Sequence, residues 1–160
     1  MTLVDECKIR DAAPEDVDAI IELYKEALVP IWDRIHRPYD LVRLRRTLEK
    51  RFEKGHSGLV VVRENKIIGC VLTALRTGKI SNKKVMKISS LLVKPEFFGK
   101  GLGQELIRIV EDTARQNGVE RIRLKCAYKN TALEFYNKMG FQEDQISFIK
   151  ELKTKKAPVV

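Results

Sequence analysis

The spacing of apolar residues changes period across KPEFFGKGLGQEL, residues 94–106. Before it, SGLVVVRENKIIGCVLTALR and KVMKISSLLV are rich in Val, Ile and Leu and are broken by polar turns at Glu64-Asn65-Lys66 and from Gly78 to Lys84. That pattern predicts three consecutive antiparallel strands. After it, Leu102, Leu106, Ile109 and Val110 recur at helical spacing until Asn117-Gly118. A sheet strand that feeds a helix through a glycine-rich loop restricts the chain to a layered α/β arrangement, because each element must bury its apolar face against another.

The flanking segments extend this pattern. CKIRD reads as a short strand, and Pro14 sits where the first turn of a helix tolerates a missing amide. That helix carries Val17, Ile20, Ile21, Tyr24 and Leu28 on one stripe and is expected to stop before Pro30. Asp40 is the expected N-cap of a second helix, with Leu41, Leu44, Leu48 and Phe52 on one face. Arg43, Arg45, Arg46, Lys50 and Lys54 occupy its other faces, and Gly55 and Gly58 close it. RIRLKC reads as a strand with Ile122, Leu124 and Cys126 on one face, TALEFYNKM as a short helix stopped at Gly140, and FQEDQISFIKEL as a final strand. The expected product is a single α/β domain with a mixed sheet over residues 1–152, followed by a basic, frayed tail at 153–160.

Composition narrows the class. At 160 residues and 44% hydrophobic content the chain can bury one sizeable core. Charged residues appear at once in MTLVDECKIR, and runs such as LVVV are only strand-length, so a soluble cytoplasmic protein without a membrane segment is expected. Cys7, Cys70 and Cys126 show no CxxC spacing, which predicts reduced thiols and no metal. The net charge of +9 fits a polyanionic ligand, a nucleic acid, an acidic partner or a merely solvated surface, and does not choose among them.

The loop itself points to an anion. Amides at a helix start lack intrahelical acceptors, and the helix dipole adds partial positive charge there. Gly99, Gly101 and Gly103 would let a phosphate approach the backbone. A Walker A loop is excluded because Lys100 is followed by Gly101 rather than Ser or Thr. A dinucleotide fingerprint fails as well: Gln104 stands where its third glycine belongs, and the next strand is basic.

LLVKPEFFGKGLGQELI followed by NTALEFYNKMGF resembles the acetyl-coenzyme A signature of the GNAT superfamily of N-acetyltransferases, closely over residues 85–142. The resemblance implies a mostly antiparallel central sheet with helices on both faces, and acetyl-CoA as cosubstrate. It implies that the amides of Gly99, Lys100, Gly101, Leu102, Gly103 and Gln104 hold the pyrophosphate, and that the backbone of Leu91, Leu92 and Val93 holds the pantetheine arm and the thioester carbonyl. Tyr136 aligns with the tyrosine that protonates the departing thiolate. Asn130 stands one position after the family's asparagine, whose place is taken by Lys129; it either contacts the pantetheine or caps the following helix. Phe98 replaces the usual leading Arg or Gln. Lys125 replaces a glutamate used as base in some members, which leaves Ser89 and Ser90 as residues that could hold a proton-accepting water.

The implied reaction is direct acetyl transfer to a primary amine, on a small molecule or a protein. VPIWDRIHRPYD, with Trp32, Asp33, His36, Tyr39 and Asp40, is the expected acceptor-recognition segment. A nucleic-acid-binding or regulatory module on the same fold, built on the basic helix and the KTKK tail, is less favoured because no aromatic residues interleave the basic face. A coenzyme-binding protein without catalysis is a third reading. Assembly is open, a homodimer included.

Overall fold

The turn between β2 (Gly58–Arg63) and β3 (Lys66–Thr77) uses only Glu64 and Asn65, at φ 49° and 62°. Arg63 already pairs with Lys66, so Lys66 belongs to the strand rather than the turn. Positive φ at both central residues matches the right-handed twist of the strands they join. The structure, a computed structural model, describes residues 1–127 and 130–152. β3 pairs from Gly69 to Thr77 with β4 (Lys84–Val93), and β1 (Lys8–Asp11) lies antiparallel to β2. β5 (Ile122–Leu124) runs parallel to β4, giving one sheet in the order β1-β2-β3-β4-β5. The sheet is mixed and mostly antiparallel, as the sequence and its resemblance implied. RIRLKC supplies only three strand residues, and Cys126 lies beyond them.

The first helix does not stop before Pro30. α1 (Val17–Leu23) passes through a π-helical turn at Tyr24–Leu28 into α2 (Val29–Arg34), with Pro30 in the first turn of α2. Proline cannot donate an amide and crowds the carbonyl four residues back; the wider π turn relieves both demands. α3 (Leu41–Glu53) starts as expected, with Asp40 Oδ1 accepting from the Arg43 amide at 3.0 Å, and Gly55 at φ 69° lies just past its end. α4 is Leu102–Gln116.

Ile20, Leu23 and Tyr24 pack with Leu48 of α3 against Val60, Cys70, Leu72 and Leu92 on one face of the sheet. Val61 and Val71 alternate with these residues and so point to the opposite face, where Leu102, Leu106, Ile107 and Val110 of α4 are buried. Helices therefore cover both faces. No helix among the described residues is long and apolar enough to cross a membrane.

Met1–Asn130 form one compact unit, and a second begins at Thr131. In the second, α5 (Ala132–Lys138) starts after Thr131, which takes the N-cap position considered for Asn130, and Gly140 follows at φ 85°. The Tyr136 ring meets Phe135 and Phe141 edge-on, at 5.4 and 5.8 Å between centroids. The final strand expected over 141–152 does not form: this segment has no regular structure, and Ile146, Phe148, Ile149 and Leu152 are exposed. Alternating apolar residues specify which face a strand would bury, but a strand also needs an edge to pair with, and none pairs with this segment among the described residues. The tail at 153–160 and Lys129 lie outside the described residues.

Candidate active site

The glycine loop delivers the expected helix start. Gly99 and Gly101 are left-handed at φ 71° and 85°, and Gly101 is the N-cap of α4. Gly103 has no such conformation and lies in the first helical turn, so its smallness rather than its φ would matter. The first helical bond runs from the Glu105 amide to Gly101 O at 3.0 Å, and no side chain caps the helix. The amides of Leu102, Gly103 and Gln104 are therefore left for an outside acceptor. Among the described residues a Cβ placed on Gly99 would meet nothing within 4 Å, and one on Gly101 only Val4 Cγ2 at 3.8 Å, so neither glycine is packed against a neighbour. Glu105, the nearest carboxylate on the helix, is turned to Arg108 at 2.6 and 2.9 Å; that bonding holds its pKa below the usual value. A phosphate group fits this cradle. Phe98, where the resemblance leads one to expect Arg or Gln, is 57% exposed.

The strand before the loop is forked. β4 pairs with β5 only from Met86 to Ile88, whereas its pairing with β3 continues to Val93. The Lys94 amide bonds Ile68 O on β3 at 2.9 Å. Alternation then turns the backbone groups of Val93 and Leu91 to the other edge, where no strand pairs with them among the described residues. Of the three predicted strand residues, Leu91 and Val93 thus turn backbone groups to an edge that no strand among the described residues covers, while Leu92 is spent on β3 and, through its side chain, on the core.

The fork begins at a bulge. Thr73 pairs with Ile88 and Leu72 with Ser90, which leaves Ser89 as the extra residue. Both serines face the helix layer of α1 and α3. Tyr24, at the π turn, hydrogen-bonds Ser90 through the two hydroxyls, and Arg51 Nη1 of α3 reaches Ser89 Oγ at 3.4 Å. Burial pushes the Tyr24 phenol up to about 12, so it stays neutral at physiological pH. Lys125, in the place of a glutamate base, is exposed.

The segment expected to recognise the acceptor also comes together. Trp32, Asp33, His36, Arg37, Pro38 and Tyr39 line an open cleft of about 420 Å³, while Asp40 serves the helix cap. Tyr39 lies 5.6 Å from Trp32, and Trp32 lies 6.1 Å from Tyr24, so an aromatic series links the cleft to the residue that holds Ser90. Partial burial, and then the Asp33 carboxylate it bonds, raise the Tyr39 phenol. Asn130 donates its amide to Ala127 O at 2.8 Å. Tyr136 belongs to the second unit, in the aromatic setting described above.

Two site residues escaped the sequence reading. Tyr24 was one of five apolar-stripe positions, and only its hydroxyl marked it as different. Arg51 follows Leu44 by seven residues and Leu48 by three, which puts it on the apolar face of α3 and not among the basic residues around it. A charged residue at a core-facing position was the available signal.

The model of the acetyltransferase (GNAT) family matches residues 17–141. The chain is 26% identical to an uncharacterized N-acetyltransferase of Methanocaldococcus jannaschii over 90% of its own length, and spans 64% of that relative's length. It is also 26% identical to the aminoalkylphosphonate N-acetyltransferase of Salmonella typhimurium, over 91% of this chain and 92% of that one. Among solved structures, the aminoglycoside N-acetyltransferase AAC(6')-Iy in complex with CoA superimposes with a TM-score of 0.73 at 16% identity, covering 91% of this chain and 94% of the other. At that identity the likeness concerns the fold.

Proposed function

Because this chain belongs to the acetyltransferase (GNAT) family, we propose that it transfers the acetyl group of acetyl-CoA directly to a primary amine. One juxtaposition carries the reading: the open, glycine-lined start of α4 follows the same strand that leaves β5 after Ile88. Acetyl-CoA, when bound, supplies a thioester carbonyl as electrophile and a sulfur leaving group.

The amides of Leu102, Gly103 and Gln104 hold the pyrophosphate, with Gly99 and Gly101 giving it room. The backbone of Leu91 and Val93 holds the pantetheine arm and directs an amide at the thioester oxygen, where negative charge develops. Trp32 and Tyr39 wall the approach of the amine. Ser90, next to Leu91 at the fork, holds the water that takes the amine's proton, and the Tyr136 hydroxyl gives a proton to the departing sulfur. In the net change a C–N bond forms, the C–S bond breaks, and one proton passes from nitrogen to sulfur.

The Salmonella relative is named for an aminoalkylphosphonate acceptor, which supports placing amines with an acidic group among the first acceptors tried. The test follows thiol release from acetyl-CoA across alkylamines, amino acids, aminoalkylphosphonates, polyamines and aminoglycosides, with calorimetry of acetyl-CoA alongside. An N-acetylated product from at least one primary amine is expected. Absence of acetyl-CoA binding would overturn the proposal, and binding without product from any amine would reduce the chain to a coenzyme-binding protein.

A further inference from the structure

The position of Arg51 on the apolar side of α3 brings its guanidinium down onto the strand ends beside the bulge. Nη2 donates to Ser57 O at 2.8 Å and to Thr73 O. Nη1 reaches Ser89 Oγ at 3.4 Å, and the buried Nε has no acceptor. Among the described residues no carboxylate pairs with Arg51. Burial disfavours its charge most; the Tyr24 hydroxyl comes next, and then another cation, Arg76, ahead of the Cys70 thiol. His56 lies in the same field: burial, and then Arg51, Arg76 and Lys54, all disfavour its protonated form.

This is half of an ion pair. A partly desolvated guanidinium normally finds an anion, and cationic neighbours increase the demand for one. Two backbone carbonyls satisfy Nη2, but Nη1 carries two N–H groups and spends at most one on a long contact to Ser89. Ser57 and Ser89 are exposed, so this edge is open to solvent. A planar guanidinium edge with a hydroxyl beside it suits an oxyanion. At roughly 3.3 Å per strand residue, Ser89 lies about 7 Å along β4 from Leu91, a distance that a short carbon chain spans.

We infer that the Nη1 edge of Arg51, with Ser89 Oγ and the neighbouring Arg76 and His56, receives an oxyanion on the acceptor, so that the amine acetylated is a short-chain amine carrying a carboxylate or phosphonate. This rests on the acetyltransfer reading above. The anion does not react; it fixes the acceptor so that the amino group lies at the fork.

The test compares matched acceptors: β-alanine and 3-aminopropylphosphonate against 3-aminopropanol and 1,3-diaminopropane. The anionic amines are expected to be acetylated with kcat/KM roughly tenfold or more above the neutral and cationic ones. Arg51→Gln should remove most of that preference by raising KM for the anionic acceptors far more than for 3-aminopropanol, and Arg51→Lys should restore part of it. Propylphosphonate should compete with the amine in the unaltered protein, where propanol does not, a result that does not depend on any variant folding. The inference falls if the neutral or cationic amines are preferred, if propylphosphonate does not compete, or if Arg51→Gln slows all acceptors equally, as a purely structural anchor would. Turnover of 3-aminopropanol without preference for its anionic analogues sinks this inference alone; loss of acetyl-CoA binding in calorimetry sinks the reading beneath it.

Discussion

The Tyr24 hydroxyl hydrogen-bonds the Ser90 hydroxyl just past the extra residue in β4, tying the π turn of the first helix to the point where the sheet opens. Pro30 forces the helix to widen, the widened turn carries Tyr24, and Tyr24 holds the bulge. A local backbone problem is thereby coupled to the geometry of the site.

Tyr24→Phe should cost about 1 kcal/mol of stability in urea denaturation, because the Ser90 hydroxyl loses its partner. The same variant reports on alkaline stability. Burial raises Tyr24 from 10.0 and Cys70 from 9.0, each to about 12. The unfolded chain ionises these groups first, so their contribution to stability is full below pH 9 and drains between about 9 and 12. In the variant the part due to Tyr24 disappears, and stability should fall less steeply above pH 10; an unchanged slope would contradict the assignment.

Gly101→Val should weaken acetyl-CoA binding at least tenfold by calorimetry. A β-branched residue at φ 85° is strained by about 1–2 kcal/mol, which disfavours the backbone that starts α4 and aims its first amides. Equal affinity in the Val variant and the unaltered protein would remove the loop from coenzyme binding.

Tyr136→Phe should lower kcat by about tenfold to a hundredfold while leaving acetyl-CoA affinity within about a factor of two, as expected for a proton donor that acts as sulfur departs. Stopped-flow turnover with a good acceptor, set beside calorimetry, separates the two quantities. An unaltered rate would end the acid role.

Asp16→Asn should destabilise the fold by about 2 kcal/mol. The carboxylate is buried, accepts from Arg10 at 2.7 and 2.8 Å and takes the Ala13 amide at 2.8 Å. The bond from Arg10, and after it the Ala13 amide, outweigh burial and hold the Asp16 pKa below 3.8. Its contribution is therefore present above about pH 4 and lost as pH falls through the lowered value. Below about pH 4 stability should therefore fall more steeply in the unaltered protein than in the Asn variant, so that the gap between them in urea denaturation narrows; a gap that does not change with pH would contradict the assignment.

The parts of the site written in local chemistry were legible. Gly99 and Gly101 announce positive φ at a helix start, Asp40 announces a cap, and the Trp32 to Tyr39 segment announces a cleft. Tyr24 and Arg51 were hidden because a stripe position records only the direction of a side chain and not the partner it finds there. Ser89 could be read as a strand residue, but its role as the bulge depends on the register between β3 and β4. The strand expected over 141–152 failed for a related reason, since alternation cannot supply the edge against which a strand must pair.

By itself, then, the order of apolar periods and turn residues determined a layered α/β fold with a glycine-rich helix start after its fourth strand, because strand and helix periods and the φ demands of glycine are local properties. Only the tertiary structure decided that β4 parts from β5 after Ile88, that Ser89 is the extra residue, and that Arg51 stands beside it without a carboxylate. Those relationships join residues far apart in the chain, and they are set by how whole elements pack and pair.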